Sequence, residues 1–188
     1  MSTLLHRQAI VDALDAAIAG WPAMYRPRDV IPHAGRVTLE DLQHIASRKN
    51  TLMVSCLRTS DVRREPSFGN HLSVLARMAV FVGTCDTRKA KRDAMALVVT
   101  DLVTHLVYGN VFGSEFALDP ERINSDNRYS VTIDKTGANL WAVTWDQRIA
   151  ILPTEEEALD NLVSIFSELD SADPAKFESE ITELDQPV

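Results

Sequence analysis

The chain has 188 residues, 45% of them hydrophobic, which is enough for one domain with a proper core. No run approaches the roughly 18 apolar residues that a membrane span requires, and the N-terminus lacks the basic-then-apolar layout of a signal peptide, so the sequence predicts a protein made and used in a cytoplasm or in an assembly built there. The net charge of −8 is unevenly spread: residues 153–188 hold eleven acidic side chains and one basic, leaving sixteen acidic and eighteen basic in residues 1–152.

That asymmetry predicts a nearly neutral domain over residues 1–152 and an acidic helical extension and tail over residues 153–188. It argues against nucleic-acid binding through the C-terminal part, where like charges would repel a phosphate backbone.

Residues 3–19 gather Leu4, Leu5, Ile10, Val11, Leu14 and Ile18 on one helical face, with Ser2 or Thr3 available as a cap. The following stretch to Gly35 contains Pro22, Pro27 and Pro32 and reads as an extended connection. Thr38, Glu40 and Asp41 open a short amphipathic helix through Leu39, Leu42 and Ile45 that ends before Lys49. A first strand is predicted over residues 51–58 and a longer one over 72–83. The second is apolar on both faces and therefore central in its sheet. The polar insert at 59–71, with Pro66 and Gly69, makes the two strands a hairpin with a long mobile loop.

The clearest helix is predicted from Arg88 to Tyr108, with Ala94, Leu97, Val98, Leu102 and Leu106 as its stripe and Gly109 at its end. Tyr129, Val131 and Ile133 then alternate on one strand. After a turn at Lys135, Thr136, Gly137 and Ala138, a second strand carries Trp141, Val143, Trp145, Ile149 and Ile151 on one face. Leu97, Val98, Trp141 and Trp145 are the expected core anchors. An acidic helix over 154–169 follows, with Thr154 and Glu157 in a capping-box pattern. The expected fold is an α+β two-layer sandwich, a mainly antiparallel four-stranded sheet packed by one long helix, with N- and C-terminal helices.

Chemistry-bearing patterns are sparse. The histidines at 6, 33, 44, 71 and 105 have no mutual spacing that brings two to one metal ion. No phosphate-binding glycine pattern, nucleophile elbow or cysteine ladder occurs. Asp101 and His105 lie one helical turn apart without a nucleophile tied to them. Asp61 and Glu65 could serve a small metal-dependent nuclease, but a polar loop would hold such carboxylates poorly. Cys56 and Cys85 read as small buried hydrophobes. The expectation is a protein without catalysis, metal or cofactor.

One charge cluster has no local explanation. Arg88, Lys89, Lys91 and Arg92 fall at the predicted start of the long helix, where each cation opposes the helix dipole. They form a candidate partner patch for an acidic surface or a phosphate backbone, together with Arg63 and Arg64. Lys135, Thr136 and Gly137 at the hairpin turn are further partner candidates. A DNA-binding regulator is disfavoured by the absence of a helix-turn-helix pattern.

The order of elements runs from an N-terminal helix through a strand and loop to a central strand ending in VFVGT, a long helix near RKAKRDAMALVVTDLV and a hairpin closing with LWAVTWDQRIAI. Over residues 4–152 this resembles the tail-terminator-type proteins of tailed phages, in particular the family found in Mu-like phages and prophages. The resemblance implies a non-enzymatic subunit that forms a hexameric ring with copies of itself at the head-proximal end of the virion tail, assembled in the host cytoplasm. It implies contacts with the tail tube protein, the sheath where one exists, and a neck or head-completion protein. DNA would only pass through the lumen, and no membrane is involved. The proline-rich connection at 21–35 and the acidic extension depart from the smallest members. They leave room for another neck, connector or tail-completion role.

Overall fold

The computed structural model describes residues 2–48, 50–86, 88–128 and 137–152. The predicted strand at 129–134, Lys135 and Thr136 of the turn, and the helix at 154–169 lie outside the described residues. The elements run α1 (Thr3–Ile18), β1 (Asp29–Pro32), α2 (Leu39–Arg48), β2 (Thr51–Glu65), β3 (His71–Cys85), α3 (Lys89–Val107), β4 (Glu121–Asn127) and β5 (Ala138–Ala150), with a single 3-10 turn (Pro66–Phe68) joining β2 to β3. All of them belong to one compact unit, Met1–Leu152.

The sheet corrects the four-stranded, mainly antiparallel expectation. Among the described residues it has five strands in the order β1-β2-β3-β5-β4, and it is mixed: β1 runs parallel to β2, and the other pairs are antiparallel. The additional strand β1 comes from the proline-rich stretch. Pro32 is tolerated because it is the last residue of an edge strand, where a missing N–H breaks no interior ladder. The central position of β3, between β2 and β5, follows from its two apolar faces.

Two further boundaries differ. The insert at 59–71 is not a loop. β2 continues to Glu65, β3 begins at His71, and the pair is interrupted by register shifts between Cys56 and Arg58 and between Ser60 and Arg63. Asp61 takes φ +48° in the second shift, the positive-φ geometry of a bulge. The stretch before Asn127, expected as loop, forms β4 as an exposed edge strand with its own irregularity at Arg122, φ +53°.

The helices divide between the sheet faces. One core joins Ile10, Val11, Leu14 and Ile18 of α1, and Val99, Val103 and Val107 of α3, to Leu52, Val54, Met78, Val80, Val143, Trp145 and Ile149 of the sheet. A second core, on the other face, joins Leu42 and Ile45 of α2 to Met53, Ala79, Phe81, Leu140 and Ala142. The sheet is therefore covered on both faces at one end, a partial third layer that the two-layer expectation lacks. α2 lies flush against β3 at Gly83, where an added Cβ would come 2.7 Å from Ile45 Cδ1.

The caps follow from sequence. Ser2 Oγ accepts from the Leu5 N–H at 3.2 Å. At the other end of α1, the Arg26 guanidinium donates to the carbonyls of Ala19 at 2.7 Å and Trp21 at 3.1 Å, a cation placed on the negative end of the helix. The Thr38 N–H and hydroxyl both donate to Asp41 Oδ2 at 2.7 Å, and the Asp41 N–H donates back to Thr38 Oγ1 at 3.3 Å, an aspartate version of the capping box.

Two helical faces differ from expectation. In α1, Leu4 and Leu5 are exposed (61% and 48%) and the inward residue of that turn is His6. In α3, Leu97 is 47% exposed and Val98 half-buried, while Arg92, Met95, Ala96, Val99, Thr100, Val103 and Val107 face inward. Leu97 is therefore no core anchor. The run Met95–Ala96–Leu97–Val98–Val99 is apolar all round, so periodicity alone allowed either face.

Candidate interaction surfaces

The histidine, serine and carboxylate pairs show what this chain does with its reactive groups. His33 Nε2 lies 3.2 Å from Asp41 Oδ2, and His33 Nδ1 lies 3.5 Å from Ser55 Oγ. The order of atoms is that of an Asp–His–Ser relay, but the geometry cannot perform one. Nδ1 already accepts the Gly35 N–H at 3.0 Å, which uses the lone pair a general base needs, and Ser55 is fully buried. Burial pushes the Asp41 carboxyl up, but its hydrogen bonds from Thr38 and His33 outweigh that and hold its pKa below the usual carboxylate range. The group ties the β1–α2 connection to the sheet.

Asp61 and Glu65 prove to sit on strand β2, so the objection that a loop would hold them loosely does not apply. What occupies the space between them is an arginine. Arg148, whose side chain is 6% exposed, ion-pairs with Asp61, donates to the Asp61 carbonyl at 3.0 Å and to Ser73 Oγ at 3.2 Å, and places Nε 3.7 Å from Glu65 Oε2. Glu65 also receives Arg63 at 3.1 Å. A guanidinium thus stands where a divalent ion would have to bridge the two carboxylates. Among the described residues, no three His, Cys, Asp or Glu side chains converge as metal ligands. Cys56 and Cys85 are half-buried thiols not joined in a disulfide, and burial raises the Cys56 pKa.

The expected basic patch is rearranged. Arg88 and Lys91 both reach Asp86, at 3.9 Å and 3.4 Å, and Asp86 Oδ1 accepts the Arg88 N–H at 2.9 Å. Asp86 therefore supplies the anion at the helix start that the cations themselves oppose. Its pKa is lowered by the Arg88 N–H first and by Lys91 in addition. Lys89 is exposed, but Arg92 is 5% exposed and points inward, with Nη1 4.0 Å from where a Cβ on Gly137 would lie. Gly137 takes φ +74°, consistent with its place in the turn before β5. Arg63 and Arg64 do not join this cluster. They lie toward the turn that joins β2 to β3, whereas α3 begins beyond the opposite end of β3, roughly 40 Å along the strand at 3.3 Å per residue. Arg64 Nη1 donates to the Asn70 carbonyl at 3.2 Å, bracing its own hairpin.

The hairpin of β2 and β3 is as expected, but its outer half, strand rather than loop, is the feature that sequence reading missed. Residues 57–64 are exposed apart from half-buried Ser60, and Leu57, Val62 and Leu72 are 40%, 63% and 43% exposed. On the face that α2 leaves open, the sheet carries charges in rows. Arg77 is paired in register with Arg58 on one side and Asp146 on the other. Asp146, 4% exposed at its side chain, receives Arg77 at 3.2 Å and Arg122 at 3.4 Å. Two opposed arginines alone would repel. Asp146, on the other side of Arg77, supplies the counter-charge.

On the opposite face Trp145 is fully buried, and Trp141 packs half-buried against the same core. The Trp145 indole N–H donates to Gln147 Oε1 at 3.0 Å, His6 Nε2 lies 3.0 Å from the same oxygen, and Gln147 Nε2 donates to the Leu118 carbonyl at 2.9 Å. An acceptor shared in this way assigns the His6 proton to Nε2.

No protein-family model matches the chain, and no curated protein matches it. Among solved structures, it is similar to a chain of the "Virion of native gene transfer agent (GTA) particle", with 10% identity, a TM-score of 0.44, and coverage of 75% of this chain and 94% of that one.

Proposed function

We propose that the chain is a non-catalytic structural subunit of a phage-like particle, a tail-terminator-type protein that forms a hexameric ring at the head-proximal end of the tail. The observation that carries this reading is the β2–β3 hairpin. It is long, braced by its own Arg63 and Arg64 and by Arg148 of β5, and bears exposed Leu57, Val62 and Leu72. A braced arm with uncovered apolar side chains is suited to being covered by another protein. The exposed edge of β4 offers an unlike surface, and a closed ring requires two unlike surfaces on each subunit.

The non-catalytic part of the reading is supported by how the reactive groups are used. The carboxylates nearest to a metal-site arrangement hold arginines, and the histidine nearest to a relay is saturated by a backbone N–H. The tube, sheath and neck contacts, and the passage of DNA through the lumen, belong to the same proposal and rest on the resemblance in element order. Immunogold labelling of intact particles with antibody to this chain tests it. Label confined to the head-proximal end of the tail is expected. Label on the capsid shell, or none on purified particles, would contradict the reading.

A further inference from the structure

Beside the first turn of α3 there is a cleft of about 680 Å³, bounded by the connection before β1, the end of α2 and the end of β3. Among the described residues, three cations line it, Arg26, Arg28 and Lys91, against one acid, Asp86. Arg26 gives hydrogen bonds only to neutral carbonyls, and Lys91 shares Asp86 with Arg88. Among the described residues, the Arg28 side chain has no ion pair. The cleft therefore keeps an excess of positive charge, beside the positive end of a helix.

A second, independent observation lies in Asn50, which lines the same cleft while only 7% exposed. Its Nδ2 is directed at Met95 Sδ at 3.2 Å, and its Oδ1 is buried without a hydrogen-bond partner. A buried amide oxygen left unpaired costs on the order of 1–3 kcal/mol, so it marks a place where a donor is wanted. Met24, 63% exposed, adds an apolar contact at the rim.

We propose that this cleft is a docking site for an acidic peptide segment of a partner protein. Carboxylate side chains answer Arg26, Arg28 and Lys91, a peptide N–H answers Asn50 Oδ1, and an aliphatic side chain covers Met24. A phosphate group meets the cations but carries no donor for Asn50. The inference stands apart from the particle-subunit reading and does not depend on it.

The test is fluorescence polarisation of the full-length protein with a labelled, end-blocked decapeptide of alternating Glu and Ala. A Gln and Ala peptide serves as neutral control and inorganic phosphate as competitor. Binding that weakens steeply with salt is expected, with Arg28→Glu and Lys91→Glu each lowering affinity tenfold or more, while Arg64→Glu on the distant hairpin leaves it unchanged. Melting temperatures of the variants confirm that they are folded. Equal binding of the Gln peptide, an equal loss in Arg64→Glu, complete displacement by millimolar phosphate, or no binding at all would each overturn the proposal.

Discussion

His6 lies at 0% exposure, with Nε2 toward Gln147 and Nδ1 buried without a hydrogen-bond partner. Burial lowers its pKa, and the Gln147 hydrogen bond only partly opposes that. In the unfolded chain the imidazole returns to an ordinary value near about 6.5, so the unfolded state binds the proton first. Stability is therefore lost as pH falls through that value and continues to fall until the folded-state pKa is reached. Thermal melts should show the melting temperature dropping between about pH 7 and pH 5, with a shallower drop in His6→Gln. An unchanged slope in the variant would show that His6 carries none of the acid sensitivity. Gln147→Leu removes the acceptor for Trp145 and His6 together and should cost on the order of 3 kcal/mol in denaturant unfolding, since several buried groups lose their partners. Polar residues in this core were not legible from sequence. Gln147 and His6 are 141 positions apart, and only the fold brings them together.

The elements show where pattern reading succeeds and fails. α1, α2 and α3 appear within a residue or two of their expected ends because caps and apolar spacing are local properties. The inward face of α3 was not decidable locally, since five consecutive apolar residues fit either side, and contact with β3 and β5 settles it. The outer half of the β2–β3 hairpin resembled a loop because neither of its faces is buried, so the alternation that marks a half-buried strand is missing. Its order comes from Arg148 on β5, a partner remote in sequence. Replacing Arg148 with Leu should leave the fold intact but raise amide hydrogen exchange selectively in residues 57–72, measured by mass spectrometry. Unchanged protection there would show that the arm holds itself. The contact of α2 with the sheet is equally specific. Gly83→Ala forces a methyl group against Ile45 and should destabilise by about 1–3 kcal/mol, with partial recovery in Gly83→Ala/Ile45→Val.

At the scale of the molecule, one end of the sheet is covered on both faces and the other presents an arm, rows of ion pairs and an open edge. Burial at the covered end fixes the domain, and the proposal assigns the uncovered end to contact with other chains. Composition already separated the near-neutral residues 1–152 from the acidic residues 153–188, but it did not reveal which surfaces of the folded part stay open. As a tail-terminator-type subunit, this chain is proposed to cap a tail tube as a ring. The direct measurement is negative-stain imaging of purified tube protein polymerised with and without the full-length chain. Shorter tubes bearing a ring of extra density at one end are expected, with the effect lost when Leu57, Val62 and Leu72 are replaced by Asp. Tubes of unchanged length without end density, at a molar excess of the chain, would contradict it.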